Sequence, residues 1–195
     1  MMNNAMIFDF ETLSQDQIKG VVTCMALITF DELRFTTSQY EFMELVDSAK
    51  IIKLNVEDQV KTYMRSIDKS TLEWWDKQPT EAKKWIKPSD DDVRLTELYD
   101  FMIKNKPDNL EKVYTRGNTF DPIFLEHIMK DTGDPMPYDW WQVRDTRSVI
   151  DGLAWGSDLD NKFIPPKCDG FVKHDPRHDV ALDVMRIQAL VEAIS

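Results

Sequence analysis

Asp9 and Glu11 are separated by one residue inside an apolar run, Ala5-Met-Ile-Phe-Asp9-Phe-Glu11. On a strand the side chains alternate, so both carboxylates project from one face while Phe8 and Phe10 point the other way. Two acids in such a strand repel each other and resist burial. A divalent cation would resolve the conflict; a solvated strand face would also tolerate it. A third acid, Asp121, follows Gly117-Asn118-Thr119-Phe120 at an expected strand-to-helix turn. There it could serve chemistry or simply complement the helix dipole. Near the C-terminus, His174-Asp-Pro-Arg-His178-Asp179-Val-Ala-Leu-Asp183 holds two of the three histidines. The spacing H-x4-D occurs there twice, as His174 to Asp179 and as His178 to Asp183. Cys168, His174 and His178 together would suggest zinc, but their spacing matches no established zinc pattern.

These groups need elements to position them. The alternation of Ala5–Glu11, the β-branched run Val21–Phe30 and the looser alternation of Leu33–Phe42 predict an antiparallel three-strand meander. From Val56 the period becomes helical, through Val60, Tyr63, Met64 and Ile67. Ser70-Thr-Leu-Glu73 has a capping-box pattern, Thr80 opens a short helix, and Leu95, Leu98, Tyr99 and Met102 mark another. Val113-Tyr-Thr predicts a strand, Phe120 to Gly133 a helix closed by its glycine, and Trp141–Asp145 a further strand. Arg147–Leu153 is expected to be a short helix and 156–170, with Pro165-Pro166, a loop. A last helix is expected from near Asp179. The pattern is α/β with a mixed five-stranded sheet, an antiparallel meander followed by parallel strands, flanked by helices.

A chain of 195 residues corresponds to about one domain, and no repeat or composition break divides it, so residues 1–195 are expected to form a single domain. Acids outnumber bases 35 to 24, a net charge of −11, so long-range attraction to a polyanion is absent and any nucleic acid must bind in a local groove. Two cysteines without a CxxC motif suggest a reducing compartment, the cytoplasm, or the host cytoplasm for a viral protein. The longest apolar run is too short to span a bilayer, and the N-terminus lacks the basic start of a signal peptide.

Taken together, the strand D-x-E, the mid-chain Asp and the terminal H-x4-D resemble the DEDDh 3′–5′ exonucleases of the ribonuclease H-like, DnaQ-like group, in order and over nearly the whole chain. Thr71-Leu-Glu-Trp74-Trp75 and Trp141-Gln-Val-Arg144-Asp145-Thr-Arg147 are similar to a subfamily that contains a bacteriophage exonuclease A and a mycobacterial exoribonuclease. The resemblance implies four metal-binding acids, Asp9, Glu11, Asp121 and Asp183, with His178 as the catalytic histidine. The second H-x4-D is preferred because family members carry small or apolar residues between the pair, as in Val180-Ala181-Leu182, and because Pro176 is expected to precede the helix. Four carboxylates suit two Mg²⁺ or Mn²⁺ ions. The implied substrate is a single-stranded 3′ end, DNA favoured and RNA the alternative, with release of nucleoside 5′-monophosphates. Thr12, Leu13, Asn118 and Phe120 are the expected substrate contacts. Of Trp74, Trp75, Trp85, Trp140 and Trp141, most are expected to pack helices on the sheet, with one or two lining the groove. An inactive binding module of the same fold and an endonuclease are the rivals. The oligomeric state is open, and a homodimer is compatible with the sequence.

Overall fold

A computed structural model describes residues 3–195. Strands β1 (Ala5–Thr12) and β2 (Val22–Phe30) pair antiparallel, and β3 (Lys50–Lys53) pairs antiparallel with β2. On the other side of β1, β4 (Lys112–Thr115) and β5 (Val143–Asp145) add in parallel, giving the order β3-β2-β1-β4-β5. Helices α1 (Phe42–Ser48), α2 (Val56–Tyr63), α3 (Lys69–Trp75), α4 (Thr80–Lys83) and α5 (Glu97–Asn105) precede β4. Helix α6 (Asp121–Thr132) joins β4 to β5, and α7 (Thr146–Leu153) and α8 (Pro176–Ile194) complete the chain. This is the expected mixed α/β sheet with helices on both faces.

The alternation in β1 decides what faces what. Met6, Phe8 and Phe10 pack with Leu98 and Met102 of α5 and Phe124 and Ile128 of α6. Ala5 and Ile7 pack on the opposite face with Ala181, Val184 and Met185 of α8. The period of two continues to Asp9 and Glu11, which therefore face the α8 side of the sheet.

Three expectations change. The third strand does not lie at Leu33–Phe42. Residues Glu32–Thr36 form a 3₁₀ turn instead, capped by Asp31, whose side chain accepts from the Leu33 N–H. Phe35 and Tyr40 are both buried, but they are five residues apart and enter the core through a turn and a loop rather than by alternation. The third strand is the four-residue Lys-Ile-Ile-Lys of β3, whose terminal lysines suit an exposed edge. Second, α3 is not opened by a Ser70–Glu73 box. Its N-cap is Asp68, whose carboxylate is taken up by the Ser14 hydroxyl and the Gln15 N–H. Third, α8 begins at Pro176, not near Asp179. Asp175 caps it by accepting from the Arg177 N–H, and proline is favoured in the first turn because its missing N–H would have had no partner there. No helix among the described residues is long and apolar enough to cross a membrane.

Candidate active site

Three elements converge at the C-terminal end of β1. Asp9 and Glu11 stand opposite Ala26 and Cys24 of β2, neighbours small enough to leave room above the sheet. Asp121 is the first residue of α6, and its Oδ1 accepts from the Phe10 N–H at 3.1 Å, which fastens that helix start to β1. The turn before it needs Gly117: its φ is +112°, and a Cβ there would lie 2.5 Å from the Arg147 guanidinium. Asp179 comes from the first turn of α8, and its Oδ2 accepts from the His174 N–H at 3.0 Å. One carboxylate oxygen each from Asp9, Glu11 and Asp179 lie within 4.8 Å of one another.

Such crowding has an electrostatic consequence. Burial raises Asp9 well above its ordinary range, and Asp121, Glu11 and Asp179 raise it further. Burial, then Asp179 and Asp121, does the same to Glu11. Asp121 is pushed up to about 7 by burial, against the opposing pull of the Phe10 N–H and Arg147. Asp179 also reaches about 7, through burial and the neighbouring Asp183. Carboxyls in this state are groups whose ionised form lacks a counter-charge. Glu11 Oε1 is buried and has no hydrogen-bond partner among the described residues. A divalent cation fits these observations: hard oxygen donors, an orphaned oxygen and excess negative charge all meet at one point.

The acids line a cleft of about 830 Å³, together with His174. A recess of about 340 Å³ adjoins it, sharing Phe10, Glu11 and Phe120 and walled by Thr12, Trp74 and Trp75. His174 has φ 64° and stands edge-on to Trp74 with ring centroids 4.7 Å apart. Burial and Lys173 lower its pKa, favouring a neutral imidazole able to accept a proton.

The residues expected to complete the site lie elsewhere. His178 packs edge-on to Phe42 at 5.5 Å, and its Nδ1 accepts from the Val172 N–H at 3.2 Å. Asp183 is 1% exposed. Its carboxylate accepts from Arg116 at 2.6 Å, Arg186 at 2.7 Å and the Thr146 hydroxyl at 2.5 Å, so its charge is already matched. The expectation of His178 and Asp183 is therefore corrected: the pair at the cleft is His174 and Asp179. Both acids lie on α8, one turn apart, and the docking of that helix puts Asp179 beside Asp9 and Glu11 while Asp183 meets Arg116 and Arg186.

The sequence and its relatives bear on what this cleft does. Residues 3–190 match the family model of the Rv2179c-like 3′–5′ exoribonuclease domain. The chain belongs to this family. It is a 3′–5′ exonuclease, a hydrolase of phosphodiester bonds. It is also 32% identical over 201 residues to the exodeoxyribonuclease of Enterobacteria phage T4, covering 93% of this chain and 86% of that relative. Among solved structures it is similar to the zinc-bound complex of E. coli exonuclease I with single-stranded DNA, with a TM-score of 0.58 at 13% identity over the whole chain. The product-bound exonuclease I gives 0.57 at 12% identity. The chain spans 40% and 43% of the length of those two structures, and at such identity the likeness concerns the ribonuclease H-like fold alone.

Of the substrate residues expected for the exonuclease, Thr12 and Phe120 wall the cavities. Leu13 does not; its side chain is buried with Val21, Trp75 and Ala82. Asn118 is exposed in the turn and lines neither cavity. The tryptophans meet the expectation in part, since Trp74 and Trp75 wall the recess. Trp75 is buried, whereas Trp140 and Trp155 are 82% and 91% exposed. Arg116, Arg147, Lys162, Lys173 and Arg186 line the cleft too. Sequence reasoning missed these as site residues, because nothing in a surface-like cation announces which wall it joins.

Proposed function

We propose that this exonuclease removes nucleoside 5′-monophosphates from the 3′ end of single-stranded DNA, using Asp9, Glu11, Asp121 and Asp179 to hold two Mg²⁺ or Mn²⁺ ions and His174 as the proton acceptor. The observation that carries the reading is the convergence of the four acids, three of them with oxygens within 4.8 Å of one another, on one cleft beside an imidazole. When bound, such ions supply positive charge to the phosphate and lower the pKa of the attacking water.

The chain's own residues do the rest. Asp121 and Asp179, tied by the Phe10 and His174 N–H groups, keep their oxygens fixed against the strand acids. His174 is held neutral and takes the proton of the attacking water. The new bond joins that water oxygen to phosphorus, and the bond from phosphorus to the 3′ oxygen of the penultimate nucleotide breaks. The phosphate leaves on the 5′ oxygen of the terminal nucleotide, and the freed 3′ oxygen takes up a proton from solvent to become the new 3′ hydroxyl. Phe120, Trp74 and Thr12, in the adjoining recess, suit the terminal base, since base–aromatic stacking is worth about 1–3 kcal/mol and is tolerant of sequence. Residues 1–195 act as one catalytic domain in this reading.

The phage relative is described as an exodeoxyribonuclease, and the solved exonuclease I was captured with single-stranded DNA; both support DNA. The family description names an exoribonuclease, which makes RNA 3′ overhangs the second reading. Matched 5′-labelled DNA and RNA oligonucleotides, digested with Mg²⁺ and with Mn²⁺, decide between them. A ladder shortening from the 3′ end, faster on DNA and blocked by a 3′ cap, is expected. Internal cuts on a capped strand would replace the proposal with an endonuclease, and absence of metal binding by calorimetry with an inert module.

A further inference from the structure

The cleft has a second wall, and it is basic. Between α7 and α8 the chain runs from 154 to 175 through turns without helix or strand, yet Asn161, Lys162 and Ile164 line the cleft. What fastens this segment starts at Asp183. Its Oδ1 accepts from Nη1 of both Arg116 and Arg186. The two guanidiniums then reach outward to three consecutive carbonyls. Arg116 Nη2 donates to Asn161 O at 2.7 Å, Arg186 Nε to Phe163 O at 2.8 Å and Arg186 Nη2 to Lys162 O at 3.3 Å. Asn161 is held from its other side by Asp151.

A second observation concerns the cations that this wall presents. Lys162, Lys173 and Arg147 line the cleft, and none has a carboxylate within ion-pairing distance among the described residues, although acids outnumber bases 35 to 24 in the chain. Among the described residues Lys162 and Lys173 thus have no ion pair at the cleft, Arg147 faces it while acting on Asp121 from beyond ion-pair distance, and all three can meet an anionic ligand.

We propose that Asp183 is a positioning residue: through Arg116 and Arg186 it clamps residues 161–163 as one wall of the cleft, so that Lys162, with Lys173 and Arg147, receives the backbone phosphates upstream of the scissile bond. This rests on the 3′–5′ exonuclease reading of the cleft. It assigns Asp183 to substrate binding, through other side chains, and not to metal binding.

The test uses two substrates on the full chain: a long single-stranded oligonucleotide, and the p-nitrophenyl ester of thymidine 5′-monophosphate, which has no upstream phosphate. Lys162→Ala should raise KM for the oligonucleotide about tenfold with a much smaller change in kcat, and make its salt dependence shallower by about one phosphate contact. The ratio of kcat/KM on the oligonucleotide to that on the ester should fall by a similar factor. Asp183→Asn should lower the same ratio, and a protease should cut the 154–175 segment faster in that variant. General destabilisation would move neither the ratio nor the salt slope. Should Asp183→Asn fail to fold, Lys162→Ala decides alone, with the remote Lys104→Ala as reference. The proposal is overturned if Lys162→Ala leaves KM and salt slope as in wild type, or if Asp183→Asn loses both substrates alike at saturation. A wild-type chain that cuts neither substrate would instead sink the exonuclease reading itself.

Discussion

Asp179 and Asp183 sit one helical turn apart on α8, and their surroundings give them opposite characters. Asp183 has two guanidiniums and a hydroxyl on its oxygens, whereas Asp179 has one backbone N–H and crowds its oxygens against those of Asp9 and Glu11. Asp179→Asn should therefore lower turnover at least about 100-fold, as loss of a metal ligand does, while leaving the fold intact. A single-turnover assay at saturating Mg²⁺ checks it, and near-normal cleavage would remove Asp179 from the site. His174→Ala should cut kcat by about 10² to 10⁴, with Mg²⁺ affinity measured by calorimetry nearly unchanged. His178→Ala should act on stability instead, because that ring is packed between Phe42 and Phe171. Asp9, Glu11 and Asp121 could be read from the sequence because a strand's period of two and a helix start each place a carboxylate by local geometry. The last pair could not, because both H-x4-D spacings satisfy the same pattern and only the docking of α8 on β1 distinguishes them.

At the level of elements, the same limit recurs. β1, β2, α6 and α8 carry long periodic patterns and were recognisable; β3 has four residues, too few for alternation to stand out from chance. The sequence pattern puts the start of α8 too late because Pro176 reads as a breaker, although the first turn is where a helix accepts proline. Asp175, which caps that turn, binds Arg177 at 2.8 Å and Lys84 at 3.3 Å. Asp175→Ala should cost about 1–2 kcal/mol and loosen the turn that carries Asp179, lowering activity by more than the loss of folded protein accounts for. Urea titration beside a rate measurement separates the two effects. In the turn before α6, Gly117→Ala forces a side chain into a φ of +112° against Arg147. It should destabilise the chain by about 1–3 kcal/mol, and a normal melting curve would mean the turn relaxes more easily than its geometry implies.

For the whole molecule, the buried acids make stability depend on pH in an unusual direction. Asp121 and Asp179 titrate near pH 7 in the folded chain against an ordinary 3.8. Below about pH 4 both states hold these protons and the groups are neutral to stability. As pH rises through the window from about 4 to about 7, the unfolded chain ionises first, so stability is lost, by a few kcal/mol per fully buried group on the order-of-magnitude scale of about 1.4 kcal/mol per pH unit. In EDTA, Asp121→Asn should thus melt with wild type near pH 4 and increasingly above it towards pH 7. Mg²⁺ should raise the wild-type melting temperature more at pH 8 than at pH 5. A variant that melts below wild type at pH 7 would show that Asp121 is not held in unfavourable ionisation. The fold class was visible in the order of strands and helices; the site's completion was not, since it depends on contacts between opposite ends of the chain. Those contacts have a consequence for how the molecule comes into being. Asp9 and Glu11 lie on β1, Asp121 at the start of α6, His174 just before α8 and Asp179 in its first turn, and α8 must dock on β1 before these groups share one cleft. The cleft is therefore assembled only once α8 has docked, and a chain cut short before α8 would carry the strand acids without the acid and the imidazole that face them.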